Sequence, residues 1–418
     1  MKKKRVLILW FVLLTAIVGH SQSKPTQAKL KPKLTILKNG FIFDDNFGLK
    51  TGSIIIEDNQ IIDLLYTNDL SKYPEATIID ITRKFVMPGL IDTHVHLATV
   101  PNLTREKSNK YMEDQLSKMI YAGITTVRDM TGNAIILADY KQVSALNQLP
   151  APSIFYAAQF AGPDYFNLVR KHTTEKDTPW QRTITDTTNI KIVVAAAKGA
   201  GVSGIKIYND LSARMIKKIV KEAKKQGLQS WSHAAVFPAT PTDVANAKVN
   251  SMSHAFDIAY GFSSGKMDHS KKIPAIDTIK MDKLLLLMKA NNVILDPTNY
   301  LANNNKLFDG MKITKRAHEL GVKISTGTDW PYLFEKDNSV PLFKEIKILT
   351  DSCGFTNKDV LISATRIGAE SIGVQDRGSI AIGKRADLYV INSNPLQNIE
   401  NLKDGFMTIK SGIIYTKE

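Results

Sequence analysis

Cysteine is nearly absent: Cys353 is the single one in 418 residues. No intramolecular disulfide can form, so stability has to come from a packed core whatever the redox compartment. Charge of one sign is never gathered into a long internal tract. The formal net charge is +15, but the lysines are spread along the chain. A nucleic-acid binder would show a basic stripe with interleaved aromatics or a known module. Neither is present, and the excess reads as a solvated basic surface with no nucleic-acid partner. Long apolar runs are also missing, with one exception in the opening "MKKKRVLILWFVLLTAIVGHSQS". Basic residues 2–5, an apolar run over 6–18 and the small residues Gly19 and Ser21 predict a secretory signal peptide over 1–21. The run falls short of the roughly 20 apolar residues of a bilayer span, and no lipid-accepting cysteine follows it. The expectation is an exported protein, periplasmic or extracellular, with no stable membrane insertion after processing.

What is present has two textures. After a polar linker over 22–33, the stretches "KLTILKNGFIFD", "GSIIIEDNQIIDLL" and "ATIIDITRKFVMPG" alternate and carry hairpin turns, and "GSIAIGKRADLYVINSN" and "DGFMTIKSGIIYT" repeat that texture at the C-terminus. Neither end is long enough to close a core alone, so 34–87 and 375–418 are expected to form one small β-sandwich. Between them, over 88–374, apolar strands alternate with helical segments, the pattern of parallel βα units. Eight strand candidates stand out: "GLIDTHVHL", "GITTVRDM", "SIFYAAQ", "GIKIYN", "LQSWSHA", "NSMSHAF", "NVILDPT" and "VKISTGTDW". Helices are predicted over 107–121, 187–199, 212–226, 242–247, 281–290 and 311–320; the third has an apolar face from Met215, Ile216, Ile219, Val220 and Ala223, with Gly227 to stop it. The fold class is therefore α/β: a (β/α)8 TIM barrel with a small β-sandwich built from both chain ends. In such barrels, chemistry gathers at the C-terminal ends of the strands.

Histidine is placed there. His94 and His96 in "THVH" lie two apart on a strand and share a face. His233 in "WSHA", His254 in "MSHAF" and Asp329 in "TGTDW" each close another apolar strand. Four of the eight histidines thus fall at barrel-strand ends with an aspartate, a donor set suited to Zn²⁺ and similar divalent ions. His20, His172, His269 and His318 fall in the leader, two loops and a helix. In "SGIKIYND", Lys206 stands between two isoleucines, where a charge needs a partner or a ligand.

The order "PGLIDTHVHL", Lys206, "SHA" at His233, "SHAF" at His254 and "GTD" at Asp329 resembles the metal-dependent amidohydrolase superfamily, and specifically its binuclear members with a bridging lysine. "YAGITTVRDM" and the ending from "GSIAIGKRADLYV" are similar to the imidazolonepropionase-related branch, which includes prolidase-like amidohydrolases. The resemblance spans about residues 34 to 418. It implies that His94, His96 and Asp329 hold one divalent ion, that His233 and His254 hold a second, and that Lys206, carboxylated to N6-carboxylysine, bridges the two. An ammonium cannot ligate a cation, but burial lowers a lysine pKa and frees its nucleophilic amine.

That centre implies a hydrolase that activates water between two metal ions, zinc first among them, with Asp329 as general base and then acid. A mononuclear enzyme of the aminohydrolase or imidazolonepropionase type would use His94, His96, His233 and Asp329 on one ion. Deaminases of that kind resemble one another in a glutamate shortly after the fifth-strand histidine, whereas here Ala234, Ala235, Val236 and Phe237 follow. A non-catalytic secreted binding protein is the rival from another class. The expected partner is a small-molecule amide, a dipeptide or an N-acyl amino acid, with lactams, lactones and phosphotriesters open. Candidate substrate contacts are Tyr208, Tyr165, Arg170, Arg182 and Asn299, the arginines by pairing with a carboxylate. A homo-oligomer is left open.

Overall fold

Alternating, β-branched segments at the two ends of the chain meet in one eight-stranded sheet. From the N-terminal side come Leu34–Phe43, Leu49–Glu57, Gln60–Leu65, Thr77–Asp80 and Phe85–Pro88, and from the C-terminal side Leu388–Ile391, Gly405–Lys410 and Ile413–Thr416. In this computed structural model the described residues are 33–44, 47–99, 105–171, 176–260, 275–307, 309–330 and 340–416. The expected signal peptide, most of the linker, and His20, His172 and His269 lie outside them. The seam is Phe85–Pro88, which runs antiparallel to Leu388–Ile391 with Val86 opposite Val390. The hairpin tip at Asn59 returns to the C-terminal segment, where Ala386 N donates to Asn59 O at 2.9 Å and Ile61 N to Lys384 O at 2.8 Å. The sheet is thereby bent over its own core of Leu37, Ile42, Ile54, Ile56, Val86, Leu388, Val390 and Ile409. The expected sandwich is one curled sheet, because both chain ends supply strands to the same ladder.

The central segment builds a barrel of parallel strands: Leu90–Val95, Ile124–Asp129, Ser153–Ala161, Gly204–Ile207, Gln229–His233, Ser251–Ser253 and Ile294–Asp296, in that spatial order. These are the first seven predicted strands. The eighth, residues 322–330, closes the ring through single bridges, Leu295 with Ile324 and Val95 with Trp330, rather than a continuous ladder. Its backbone is still committed to the first strand: Thr93 N donates to Thr326 O at 2.9 Å, Asp329 N to His94 O at 2.8 Å and His96 N to Trp330 O at 2.9 Å.

The six predicted helices occur with shifted ends, as Arg105–Tyr121, Ile190–Gly199, Ala213–Lys225, Pro241–Asn246, Thr278–Ala290 and Asp309–Glu319. Ala213–Lys225 follows its sequence: the Ser212 side chain caps Met215 N, the face through Met215, Ile216, Ile219, Val220 and Ala223 is buried, and Gly227 beyond it has φ of +77°. Further helices at Ala134–Ala145, Pro163–Val169, Asn299–Asn304, Pro341–Cys353, Asn357–Ile362 and Gly368–Ile372 were not expected. Sheet and barrel press together where Gly123, at φ of +85°, passes under the Tyr389 ring, leaving no room for a Cβ. They are also tied by Lys410, whose Nζ donates to Ser144 O at 2.6 Å and to Ser144 Oγ at 3.0 Å. Among the described residues no helix is long and apolar enough to cross a membrane.

Candidate metal centre

Strand ends bring the predicted ligands to one place. His94 and His96 lie on one strand face with ring centroids 5.3 Å apart; His94 is 5.0 Å from His254, and His254 is 4.6 Å from His233. Asp329 Oδ1 lies 2.8 Å from His96 Nε2 and 3.5 Å from His94 Nε2, and its Oδ2 lies 3.7 Å from His254 Nδ1. The backbone turns sharply to achieve this: His254 has φ of +68° and Asp329 +60°, and each sits where a strand hands over to a loop. Gly327 lets the closing segment cross the first strand, since a Cβ there would strike the Asp296 carboxyl and His94 Cβ.

The donor set fits a metal. His94, His254 and Asp329 each offer a ligand atom, all within 4.8 Å of one another. Among the described residues His94 Nε2 and His233 Nδ1 are buried without a hydrogen-bond partner, a costly arrangement for an imidazole unless a ligand takes the lone pair. The second ring nitrogens are fixed from behind. His94 Nδ1 meets Asp296 Oδ2 at 2.8 Å, His254 Nδ1 meets Thr298 Oγ1 at 3.0 Å, and His96 Nδ1 meets Thr131 O at 3.3 Å. An ionised carboxylate only accepts, so His94 carries its proton on Nδ1 and presents Nε2 to the cavity.

Electrostatics agree with that picture. Burial, with nearby cationic and imidazole groups, drives His233 and His254 well below the usual histidine range, so both are neutral and able to ligate. Burial raises Asp329, but His94, His96 and His254 outweigh it and hold the carboxyl well below its ordinary value. Burial pulls Lys206 down to about 7, with Asp296 opposing and Arg128 assisting. Lys206 is fully buried, its Nζ donates to Ser253 Oγ at 2.6 Å, and among the described residues it makes no ion pair within 4 Å.

The Amidohydrolase family profile matches residues 85–414. The chain belongs to the amidohydrolase family. Among curated proteins, the 5'-deoxyadenosine deaminase of Methanothermobacter thermautotrophicus is 24% identical over 381 residues, covering 86% of this chain and 85% of the relative. Among solved structures, a Xaa-Pro dipeptidase with methionine bound in its active site superposes with a TM-score of 0.75 at 22% identity, over 92% of this chain and all of that one. Ochratoxinase of A. niger gives 0.73 at 17% identity, over 93% of this chain and 96% of the other. This amidohydrolase is therefore a metal-dependent hydrolase acting on C–N bonds, on a TIM-barrel fold.

The expected substrate contacts of the amidohydrolase separate into two groups. Tyr208 lies against His233 with ring centroids 4.3 Å apart, and Tyr165 against Tyr208 at 5.3 Å, so both line the His233 side of the mouth. Arg170 is ion-paired to Asp177 at 2.9 Å and stacked on Phe166, and Arg182 approaches the same aspartate at 3.8 Å. Asn299 is buried and turned to Thr314 Oγ1 at 3.3 Å and Cys353 Sγ at 3.7 Å, away from the imidazoles. His318 stacks on Phe355, outside the centre as its helix position implied.

Sequence reading passed over Asp296 and Arg128. Asp296 closes the seventh strand in "ILDPT", where an aspartate before proline resembles a turn residue, and its Oδ2 accepts from His94, from Ser253 Oγ at 3.1 Å and from Arg128 Nη2 at 3.2 Å. The available signal was its place: it ends an apolar barrel strand just as His233 and Asp329 do.

Proposed function

We propose that this amidohydrolase is exported and hydrolyses the amide bond of a small substrate, a dipeptide or N-acyl amino acid first, at a centre of two divalent ions bridged by carboxylated Lys206. The observation that carries the reading is Lys206 itself: a fully buried amine beside the imidazoles, hydrogen bonded to Ser253 and paired with no carboxylate within 4 Å among the described residues. Without a carboxylate beside it, burial disfavours the charged ammonium. An amine held neutral instead adds to CO2: an N–C bond forms, one C=O electron pair moves onto oxygen, and an Nζ proton leaves to solvent. The carbamate that results offers two oxygens where the ammonium offered none.

His94, His96 and Asp329 would hold one ion and His233 and His254 the other, zinc being suited to these donors. Divalent ions in such a site act as Lewis acids that acidify water and polarise an amide carbonyl. The chain's own groups do the rest. Asp329 stays ionised at neutral pH, so it accepts the proton of the attacking water and returns it to the departing nitrogen. Tyr208, held against His233, presents its phenol to the carbonyl oxygen on which charge develops, with Tyr165 bracing it. With Arg170 and Arg182 both engaged by Asp177, recognition of a substrate carboxylate falls to other groups at the mouth or requires that Asp177 release them.

A second reading, a mononuclear aminohydrolase, is favoured by the deaminase relatives. Alanines and Val236 in place of a glutamate after His233 weigh against it. A hydrolysis screen of the reconstituted protein against dipeptides, N-acyl amino acids and 5'-substituted adenosines separates the two. Turnover of the peptides or N-acyl compounds supports the amide reading; ammonia release from the nucleosides alone replaces it with deamination.

A further inference from the structure

Behind the ligands, five barrel strands contribute to one buried hydrogen-bonded chain. Arg128 lies on the second strand, Lys206 on the fourth, Ser253 on the sixth, Asp296 on the seventh and His94 on the first. Arg128 is immobilised: Nε donates to Thr93 O at 2.5 Å, Nη1 to Ser371 O at 3.0 Å and Ser251 Oγ at 3.2 Å, and its guanidinium lies over the Trp231 ring at 4.7 Å. Its Nη2 neutralises Asp296 at 3.2 Å. The Asp296 charge is thus balanced by arginine, and Lys206 is left to Ser253.

The donor count fixes every direction in this chain. A serine hydroxyl has one hydrogen to donate. Ser253 Oγ donates to Asp296 Oδ2 at 3.1 Å, so it meets Lys206 Nζ at 2.6 Å as an acceptor. A neutral amine has two N–H bonds and one lone pair, and giving one N–H to Ser253 restricts where the lone pair points. A carbamate nitrogen retains one N–H, so the same hydrogen bond survives carboxylation and fixes the carbamate plane. Asp296 also holds the proton of His94 on Nδ1.

We propose that Ser253 and Asp296, anchored by Arg128, are positioning residues that aim Lys206 Nζ for addition to CO2 and hold the carbamate plane, while Asp296 aims His94 at the first ion. The inference rests on the carboxylated-lysine reading. It gives Lys206 and His94 a shared support, so that disturbing Asp296 reaches the centre through the carbamate and through His94, whereas disturbing Ser253 reaches it through the carbamate alone.

The test is ¹³C NMR of the full protein titrated with ¹³C-bicarbonate and zinc, with zinc retention read by chelator competition. In the wild type a carbamate carbon appears that Lys206→Ala lacks. Ser253→Ala needs about tenfold more bicarbonate for half-occupancy, the cost of one hydrogen bond to such a group, and Ser253→Thr, which keeps the hydroxyl, restores the wild-type demand. Asp296→Asn shows the same shift and, at bicarbonate high enough to saturate the carbamate, where Ser253→Ala retains zinc as the wild type does, still loses zinc affinity by about ten- to a hundredfold. A general packing defect would lower thermal stability without this split between the two readouts. If the wild type carries a carbamate and both Ser253→Ala and Asp296→Asn match its bicarbonate demand, the positioning role is overturned while the binuclear reading stands. If the wild type forms no carbamate, both are overturned.

Discussion

Asp329 combines two demands in one carboxylate. It lies within 3.7 Å of His94, His96 and His254, and those rings hold its pKa well below the ordinary range in spite of burial. A base that is ionised at neutral pH and touches these histidines is suited to relay a proton. Asp329→Asn keeps the size and removes the charge, and kcat is expected to fall by about 10²- to 10⁴-fold, the usual worth of a positioned acid-base group. Steady-state kinetics at saturating zinc checks this; a variant within a few-fold of wild type would remove Asp329 from the proton relay. At this scale the sequence was informative where chemistry and periodicity coincide. His94, His96, His233, His254 and Asp329 end apolar strands, so the barrel geometry had to gather them. Asp296 and Arg128 were missed for the opposite reason: their role is to pair with each other across the barrel, from the second strand to the seventh, and such a partnership leaves no local pattern.

Elements show the same division. The seven regular barrel strands were legible because each is a short apolar run, and Ala213–Lys225 because its apolar stripe repeats at helical spacing. Ala134–Ala145 was not, since apolar Ile135 points to solvent while Ser144 is buried, which blurs the stripe. Ser144 is buried because it receives Lys410 from the curled sheet. That junction has a pH signature. Burial lowers Lys410 to about 8, whereas in the unfolded chain it titrates near 10.5. Between those values the unfolded state binds the extra proton, so stability from this group rises with pH from about 8 to 10.5 and is flat below. Urea unfolding at several pH values across that window should give a steeper upward slope for wild type than for Lys410→Met. Equal slopes would mean that Lys410 titrates alike in both states.

For the whole molecule, the curled sheet and the barrel leave the candidate metal centre buried at one end of the strands, where the imidazole nitrogens His94 Nε2 and His233 Nδ1 have no hydrogen-bond partner among the described residues. Ions that bind the folded state alone stabilise it, by about 2.7 kcal/mol at a hundredfold excess over Kd. Thermal unfolding should therefore move upward with added zinc and return with chelator, and a transition indifferent to both would argue against ligation by this set. The expected export rests on residues 1–21 and is checked by N-terminal sequencing of the secreted chain, which should begin at Gln22.

In the proposed centre, Lys206 is the residue that allows a second ion. Metal content per chain, measured by mass spectrometry on protein reconstituted with zinc and bicarbonate, decides whether it does. Close to two ions are expected in the wild type, and for Lys206→Ala the loss of most of that metal together with most of the activity. One tightly held ion in both proteins, with full activity in the variant, would contradict it.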